Sequence, residues 1–408
     1  MPLTAFDLRA PDLAHGGKTF GGVDFIAQAR ALQPQLEAAA AEIDGTRDIP
    51  AAIIERMVEA GFFRMTLPKF VGGLEVDHPT FMQTIEALAT GDASAPWILG
   101  QAAGCALSAA YLDPATAHEI YGDRRAVVIW GPPEQAKAVV CEGGYRLSGR
   151  WSFASGVRHA TWIGAHTPVF EADGVTRKID PRGEPMVVTC IVPAAKVRLV
   201  DVWHTIGLKG TGSDNYEIDE LFVPARFAYW RDESQRKYHA PLYLFPLNTI
   251  HAIAFSSVAL GLARRLLDSF LEVARVKVPR LQKAAARLRE NHVVQGEIGL
   301  AEARLRSSRL YLLEALTGIW AEVARSNRVT LEQRMTIRLA ATYAMRQANE
   351  VADMAYHHAG ALAVLAANPF ERRFRDMHTV MQQVQARHQH LQNVGQYILG
   401  LEPDLTLA

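Results

Sequence analysis

The sequence predicts an α+β chain in three parts: an N-terminal helical domain over residues 1–125, a small β-barrel or sandwich over 126–235, and a C-terminal helical bundle over 236–408. Three observations carry that expectation. Apolar residues recur at helical spacing up to about residue 125. Short β-rich runs separated by Gly, Pro, Asp and Asn fill 126–227. From about residue 245, long helical patterns with few interior breakers run to the end of the chain, as in a bundle. At 408 residues the chain exceeds what one small core organises, which fits packed layers or domains.

Along the first part, Asp48 is placed to cap a helix with Pro50 in its first turn, Ile53, Ile54, Met57 and Val58 on one face, and Gly61 at its end. Asp77 precedes a second helix, with Phe81, Met82, Ile85, Leu88 and Ala89 at helical spacing. Asp92 precedes a third, DASAPWILGQAAGCALSAAYL, on which Trp97, Gln101, Gly104, Cys105 and Ser108 follow an i, i+3/i+4 stripe. Small residues on a helix admit a close neighbour, either another helix or a ligand. The runs AVVIWG, AKAVVC, YRLSGRWSFAS, ATWIGAHTPVF, PMVVTCIVP, KVRLVDVW and YEIDELFVP are expected strands. By alternation Trp151, Phe153 and Ser155 would share one face. Four helices are expected over 247–274, 281–326, 331–366 and 369–399, with Pro279, the SNR at 326–328 and the NP at 368–369 at the joints.

The 43 basic and 43 acidic side chains balance to a formal net charge of zero. A neutral surface offers little to nucleic acid or to an anionic membrane, so neither is expected as a partner. The one basic cluster, Arg275, Lys277, Arg280, Lys283, Arg287 and Arg289, reads as a solvated helix face, with a phosphate contact as the sharper alternative. Cys105, Cys141 and Cys190 lie far apart and read as buried reduced thiols. No uninterrupted run of about 18 apolar residues appears, and MPLTAFDLRAPDLAHGG lacks the basic and apolar regions of a signal peptide. A cytoplasmic location is expected.

Several chemistries lack their signatures. There is no P-loop. GLKGTGSDN at 207–215 leads into a strand rather than a helix, so it offers no helix N-terminus to a dinucleotide, and no home for NAD(P)H is evident. No G-x-S-x-G elbow surrounds any serine, which makes Ser155 a poor nucleophile. His388 and His390 point to different faces of an expected helix, His357 and His358 are adjacent, and H-E-x-x-H is absent, so no metal is expected. The positive features are Trp130-Gly131-Pro132-Pro133, Trp151-Ser152-Phe153-Ala154-Ser155-Gly156, Trp203, and Gly210-Thr211-Gly212-Ser213. Singly, each aromatic suits a core. Together they offer aromatic walls, backbone donors and hydroxyls.

YRLSGRWSFASG resembles the "dG-y-l-n-G-x-K-x-W-I-t-n-G" strand of the acyl-CoA dehydrogenase superfamily. LFVPARF resembles its "d-V-x-V-P" strand end, and NPFERRFRDMHT the "P-x-E-R-x-x-R-D" start of its final helix. The resemblance implies a helical N-domain, a middle β-domain, a four-helix bundle and a homotetramer. The dehydrogenases carry a glutamate base in "Y-E-G-T" about nine residues after the R-D pair. Here Arg375 and Asp376 are followed by Val384, Gln385 and Ala386, so no carboxylate is placed to take a thioester's α-proton. Their "T-E-P-x-x-G-S-D" loop is also replaced, by WGPPEQAKAV.

The W-S-F-A-S-G version instead resembles the group D flavin-dependent monooxygenases of this fold, as do IPAAIIERMVEAGFFRMTLPKFVGG and IEALATGDASAPW. That likeness implies the oxygenase component of a two-component system. It would receive reduced FAD or FMN from a separate NAD(P)H:flavin reductase and use O₂, through a C4a-hydroperoxide, to hydroxylate a small phenol- or indole-like substrate. It implies Ser155 as the partner of flavin N5, Trp130, Phe153, Ala154 and Trp203 as flavin-side walls, and Thr211 and Ser213 as polar contacts. His378 is the acid/base candidate, with a structural role as its alternative, and Trp97 and Gln101 would line the substrate side, with core packing the competing view of Trp97. N- or S-oxygenation, or an acyl-CoA dehydrogenase-type reaction, are the alternative activities.

Overall fold

The computed structural model of the chain describes residues 18–230, 232–278 and 287–405. The N-terminal stretch read for a signal peptide, Pro279, the start of the helix expected from 281, and Arg280 and Lys283 of the basic cluster lie outside the described residues.

The N-terminal part is helical: α1 (Phe25–Ala38), α2 (Ala40–Thr46), α3 (Ala51–Glu59), α4 (His78–Ala89), α5 (Ser94–Ala106) and α6 (Pro114–Tyr121). Asp77 caps α4, its Oδ1 accepting the Thr80 amide at 2.9 Å. Asp92 does the same for α5, accepting from the amides of Ser94 at 2.8 Å and Ala95 at 3.2 Å. Asp48 does not cap α3. Pro50 takes that position, and the Asp48 carboxylate turns to the Ile49 amide at 2.9 Å and to His159 at 2.8 Å.

The middle part holds β1 (Val128–Ile129), β2 (Pro133–Cys141), β3 (Gly144–Trp151), β4 (Trp162–Phe170), β5 (Val187–Pro193), β6 (Arg198–Val200), β7 (Asn215–Pro224) and β8 (Ala228–Trp230). They join in the order β6-β7-β3-β2-β4-β5-β8, with β1 parallel to β4. AVVIWG and KVRLVDVW keep only two and three ladder residues. At the centre, Trp151 and Tyr216 face each other across β3 and β7 and stack at 5.2 Å, with both side chains fully buried. Their polar atoms are satisfied: the Trp151 indole donates to the His166 carbonyl at 3.0 Å, and the Tyr216 hydroxyl to that of Gly164 at 2.5 Å.

The C-terminal part is a bundle of α7 (Leu247–Val276), α8 (His292–Ser326), α9 (Leu331–Ala359), α10 (Pro369–Val380) and α11 (Gln389–Ile398). Two expectations change. The third long helix stops at Ala359, because Gly360 has φ +61°. The last is split by residues 381–388, where Gln383 accepts the Gln385 amide at 2.7 Å and caps the single turn Val384–Ala386. α7 is long and apolar enough by composition to cross a membrane, yet 89% of its most apolar stretch is buried inside the protein. Its packing is close: a Cβ on Gly261 would sit 2.3 Å from the Glu86 carbonyl oxygen on α4, and one on Gly100 of α5 would sit 2.6 Å from Ala254. The small residues of α5 therefore admit another helix.

His78, at the first turn of α4, is 1% exposed and lies edge-on to Phe245 at 4.3 Å and Trp320 at 4.9 Å. Neither ring nitrogen has a hydrogen-bond partner. Burial pushes its pKa down to about 3. The folded chain therefore leaves His78 neutral between pH 6.5 and 3, whereas the unfolded chain protonates it. Its contribution is fully present above pH 6.5 and falls by about 1.4 kcal/mol per pH unit as the pH drops toward 3. Replacing His78 with Phe removes that linkage and the orphaned nitrogens. In chemical denaturation from pH 7.5 to 4.5, wild type should lose stability relative to His78→Phe at about that slope below pH 6.5. Parallel curves would refute the assignment.

Candidate active site

The stretch after β3 leaves the sheet abruptly. Phe153 takes a left-handed conformation at φ +53°, and Gly156 follows at φ +83°. The Ala154 amide donates to the Asp214 carbonyl at 3.2 Å, and the Gly156 amide to that of Thr211 at 2.8 Å. These bonds seat the stretch on the loop before β7. Gly156 is required on two counts: its φ, and the 2.5 Å that would separate a Cβ from Ile98 on α5. The shared face expected for Trp151, Phe153 and Ser155 is not formed. Trp151 is fully buried, Phe153 is 64% exposed and Ser155 is 7% exposed. Strand alternation ends at Trp151, and the reversed backbone at Phe153 sends its ring outward while Ser155 turns in.

Ser155 ends a chain of three hydroxyls. Its Oγ lies 2.7 Å from Ser213 Oγ, which lies 2.7 Å from Thr211 Oγ1, which donates to the Leu208 carbonyl at 2.8 Å. A carbonyl only accepts, so the direction of the chain is set. Thr211 donates to Leu208, Ser213 to Thr211, and Ser155 to Ser213. Ser155 Oγ also accepts the Trp97 indole N–H at 3.1 Å. Its one hydrogen and one lone pair are thereby committed, and the second lone pair remains to accept from a ligand N–H.

The Leu208 peptide anchors this chain. Besides Thr211, its carbonyl accepts the Trp203 indole at 3.0 Å and the Thr211 amide at 3.1 Å. Its amide donates to Asp376 Oδ1 at 2.6 Å. Leu208 itself is held at φ +49°, which costs a non-glycine residue about 1–2 kcal/mol. Asp376, on α10, is 4% exposed, and burial together with the nearby Asp92 carboxyl pushes its pKa up to about 7. Burial likewise raises Asp92, which Arg372 approaches to 3.6 Å.

The aromatics separate into two sets. The exposed Phe153 ring stands edge-on to Trp203 at 6.1 Å. Trp97 stacks on Phe255 of α7 at 3.9 Å, and Phe255 lies parallel to His251 at 5.6 Å. One turn beyond Trp97, the Gln101 amide donates to the Trp130 carbonyl at 2.9 Å and reaches Cys105 Sγ at 3.7 Å. Both amide hydrogens are then used, and its Oε1 takes no partner among the described residues.

Hydrogen bonds bring together Trp97, Ser155, Ser213, Thr211 and, through the Leu208 carbonyl, Trp203 of the expected site, with Gln101 on the same helix face as Trp97; Phe153 touches this group through Trp203, its own ring turned outward. Two members are placed differently. The Trp130 ring is 5% exposed, edge-on to His166 at 4.6 Å and pressed on Gly164, so only its carbonyl faces α5. The Ala154 side chain is fully buried, and its amide serves the loop. His378 does not join the cluster. It pairs with Asp353 of α9 at 3.0 Å and packs on Phe374. Two residues along a helix is about 200° of rotation, so with Asp376 facing the Leu208 loop, His378 faces away from it. Sequence reasoning missed Leu208, Asp92, Asp376, Phe255 and His251. Among the described residues no cluster of His, Cys, Asp or Glu is arranged to hold a metal ion.

The acyl-CoA dehydrogenase N-terminal domain matches residues 25–113, and the acyl-CoA dehydrogenase C-terminal domain matches residues 253–391. The chain is similar to the indole-3-acetate monooxygenase of Pseudomonas putida, 29% identical over 369 residues, which cover 89% of this chain and 90% of that protein. It is 27% identical over 357 residues to HsaA of Rhodococcus jostii, the oxygenase subunit of a flavin-dependent monooxygenase, covering 85% of this chain and 91% of that protein. Among solved structures, XiaF from Streptomyces sp. in complex with FADH2 and glycerol superposes with a TM-score of 0.85 at 23% identity, covering 94% of this chain and 96% of that one. The two matched domains together span more than half of the sequence and flank the sheet, and the chain belongs to the acyl-CoA dehydrogenase family.

Proposed function

We propose that the chain is the oxygenase component of a two-component flavin monooxygenase that hydroxylates a small aromatic molecule with reduced flavin, supplied by a separate reductase, and O₂. The observation that carries this reading is the open acceptor on Ser155 at the end of a polarised hydroxyl chain, whose far end, the Leu208 carbonyl, also holds the half-buried Trp203 against the exposed Phe153 ring. These groups fit a flat heteroaromatic ring with an N–H on one edge. Bound reduced flavin would supply two electrons, so that one atom of O₂ enters the substrate and the other leaves as water.

Ser155 would accept the ring N–H, with its own hydrogen committed to Ser213. Holding that proton in place guards against loss of the electrons to H₂O₂. Phe153 and Trp203 would cover the ring and exclude water. The names of the curated relatives support the class of reaction. An acyl thioester reaction has less support. At the turn where the family's dehydrogenases hold their base, this chain presents Val384, Gln385 and Ala386, and Gln385 is engaged by Arg338.

The same reading suggests the substrate. Trp97 and Phe255 offer an apolar stack, and the free Oε1 of Gln101 favours an aromatic bearing a ring N–H or phenolic O–H. A homotetramer is also proposed, in which Ile398, Leu399 and Leu401, exposed at the end of α11, would be covered; a monomer mass in sedimentation equilibrium would remove that part.

Two outcomes test the reading with chemically reduced FAD or FMN and O₂. Ser155→Ala should raise H₂O₂ released per product formed several-fold; an unchanged ratio with normal turnover would take Ser155 out of the mechanism. Gln101→Leu should lower kcat/KM for an indole-type substrate about 5- to 30-fold, the worth of about 1–2 kcal/mol for one buried hydrogen bond. Its N-methylated analogue should be far less affected, and an equal loss on both would exclude Gln101 as the reader of that donor.

A further inference from the structure

The hydroxyl chain ends on one carbonyl, and that carbonyl is positioned from another domain. The loop bearing Leu208 lies against the backbone of α10. A Cβ on Gly207 would sit 2.3 Å from the Arg375 carbonyl oxygen, and one on Gly210 would sit 2.2 Å from Ile43 and 3.0 Å from Ser94. Within this contact the Leu208 amide has one partner, Asp376 Oδ1 at 2.6 Å. Arg375 also ties this loop to α10, donating to the Ile206 carbonyl, while Asp376 alone takes the Leu208 amide. Lys209 and Arg375 pair with Asp44 at 3.1 and 3.2 Å, Arg375 also with Glu371 at 2.7 Å, and Arg373 with Glu37 at 3.0 Å. Arg372 stands by Asp92. Asp92 in turn caps α5, which carries Trp97, the second donor held at Ser155. Both groups that fix the Ser155 hydroxyl, Ser213 through Leu208 and Trp97 through α5, thus trace back to two neighbouring buried carboxyls.

We infer that Asp376 is a positioning residue for the Ser155 hydroxyl chain. By accepting the Leu208 amide it holds Leu208 in its left-handed conformation and aims the carbonyl on which Thr211, Ser213 and Ser155 are ordered in sequence. Asp376 does not reach the ligand; it acts through the loop. The anchoring stands on the geometry of the chain alone, and only its consequence for turnover rests on the function proposed above.

The test compares Asp376→Ala with Asp376→Asn, whose amide oxygen still accepts from Leu208. In flavin-free protein, amide hydrogen exchange over residues 207–213 should quicken at least tenfold in Asp376→Ala and stay within about threefold of wild type in Asp376→Asn. Amides of α7 and α9 should be unchanged in both. If the Ala variant does not fold, Asp376→Ser, whose hydroxyl is too short to reach, should show the same loss. With reduced flavin, the Ala or Ser variant should release several-fold more H₂O₂ per product, and the Asn variant should restore coupling. Unchanged exchange in the Ala or Ser variant would overturn the inference, as would an Asn variant as impaired as Ala. If exchange responds as stated while Ser155→Ala leaves the peroxide ratio unaltered, the anchoring stands and the oxygenase reading fails.

Discussion

The peptide of Leu208 is the point on which the arrangement around Ser155 depends. Its amide is fixed by Asp376 and its carbonyl collects the Trp203 indole, the Thr211 hydroxyl and the Thr211 amide. Because a carbonyl can only accept, it sets the direction of every hydroxyl hydrogen between itself and Ser155. A serine alone could donate or accept. This one has its hydrogen assigned before any ligand arrives. The strain of a left-handed leucine is sustained because the surrounding bonds over-determine it.

That arrangement joins three structural layers. The β-domain contributes Phe153, Ser155, Thr211 and Ser213; the N-terminal helices contribute Trp97 and Gln101; the bundle contributes Asp376 and the Phe255 ring behind Trp97. The buried Asp92 and Asp376 carboxyls sit where these layers meet. Burial raises both acids and the Asp92 charge raises Asp376 further, while Arg372 offsets part of the rise at each. A buried carboxyl whose pKa is raised costs stability as it ionises. The pair's retention at the junction fits a role in holding the loop and α5 in place rather than in binding the layers together.

Much of the fold was legible in local pattern. The Asp77 and Asp92 caps, the β-rich texture of the middle third and the long helices follow from spacing and capping chemistry, which are local. What was not legible depended on backbone reversals and on partners distant in sequence. Strand alternation could not reveal that Phe153 would turn left-handed and separate from Ser155 and Trp151. Asp48 looked like a cap, but His159, more than a hundred residues away, offered its carboxylate another partner. The final helix was drawn through residues 381–388 because nothing apolar or proline-rich interrupts it; a Gln383 side chain capping its own turn ends it. At the site, the glycine-rich stretch 207–215 was read as a failed dinucleotide loop that offers Thr211 and Ser213 as polar contacts, and Leu208 was passed over. Its importance lies in Leu208, whose conformation no propensity signals. His378 stood out by residue type, yet helix geometry sends Asp376, its neighbour two positions back, toward the loop instead.

The central claim is that Ser155 presents an acceptor, with its own hydrogen already committed. Reduced flavin carries a ring N–H where oxidised flavin has a bare nitrogen, so the claim concerns a difference between two binding constants. Anaerobic titration of the protein with oxidised and reduced flavin, in wild type and in Ser155→Ala, measures it directly. Wild type should bind the reduced form about tenfold or more tightly than the oxidised form, the worth of about 1–2 kcal/mol for that hydrogen bond, and the ratio should collapse toward one in Ser155→Ala. Equal or tighter binding of the oxidised form by wild type would contradict the account.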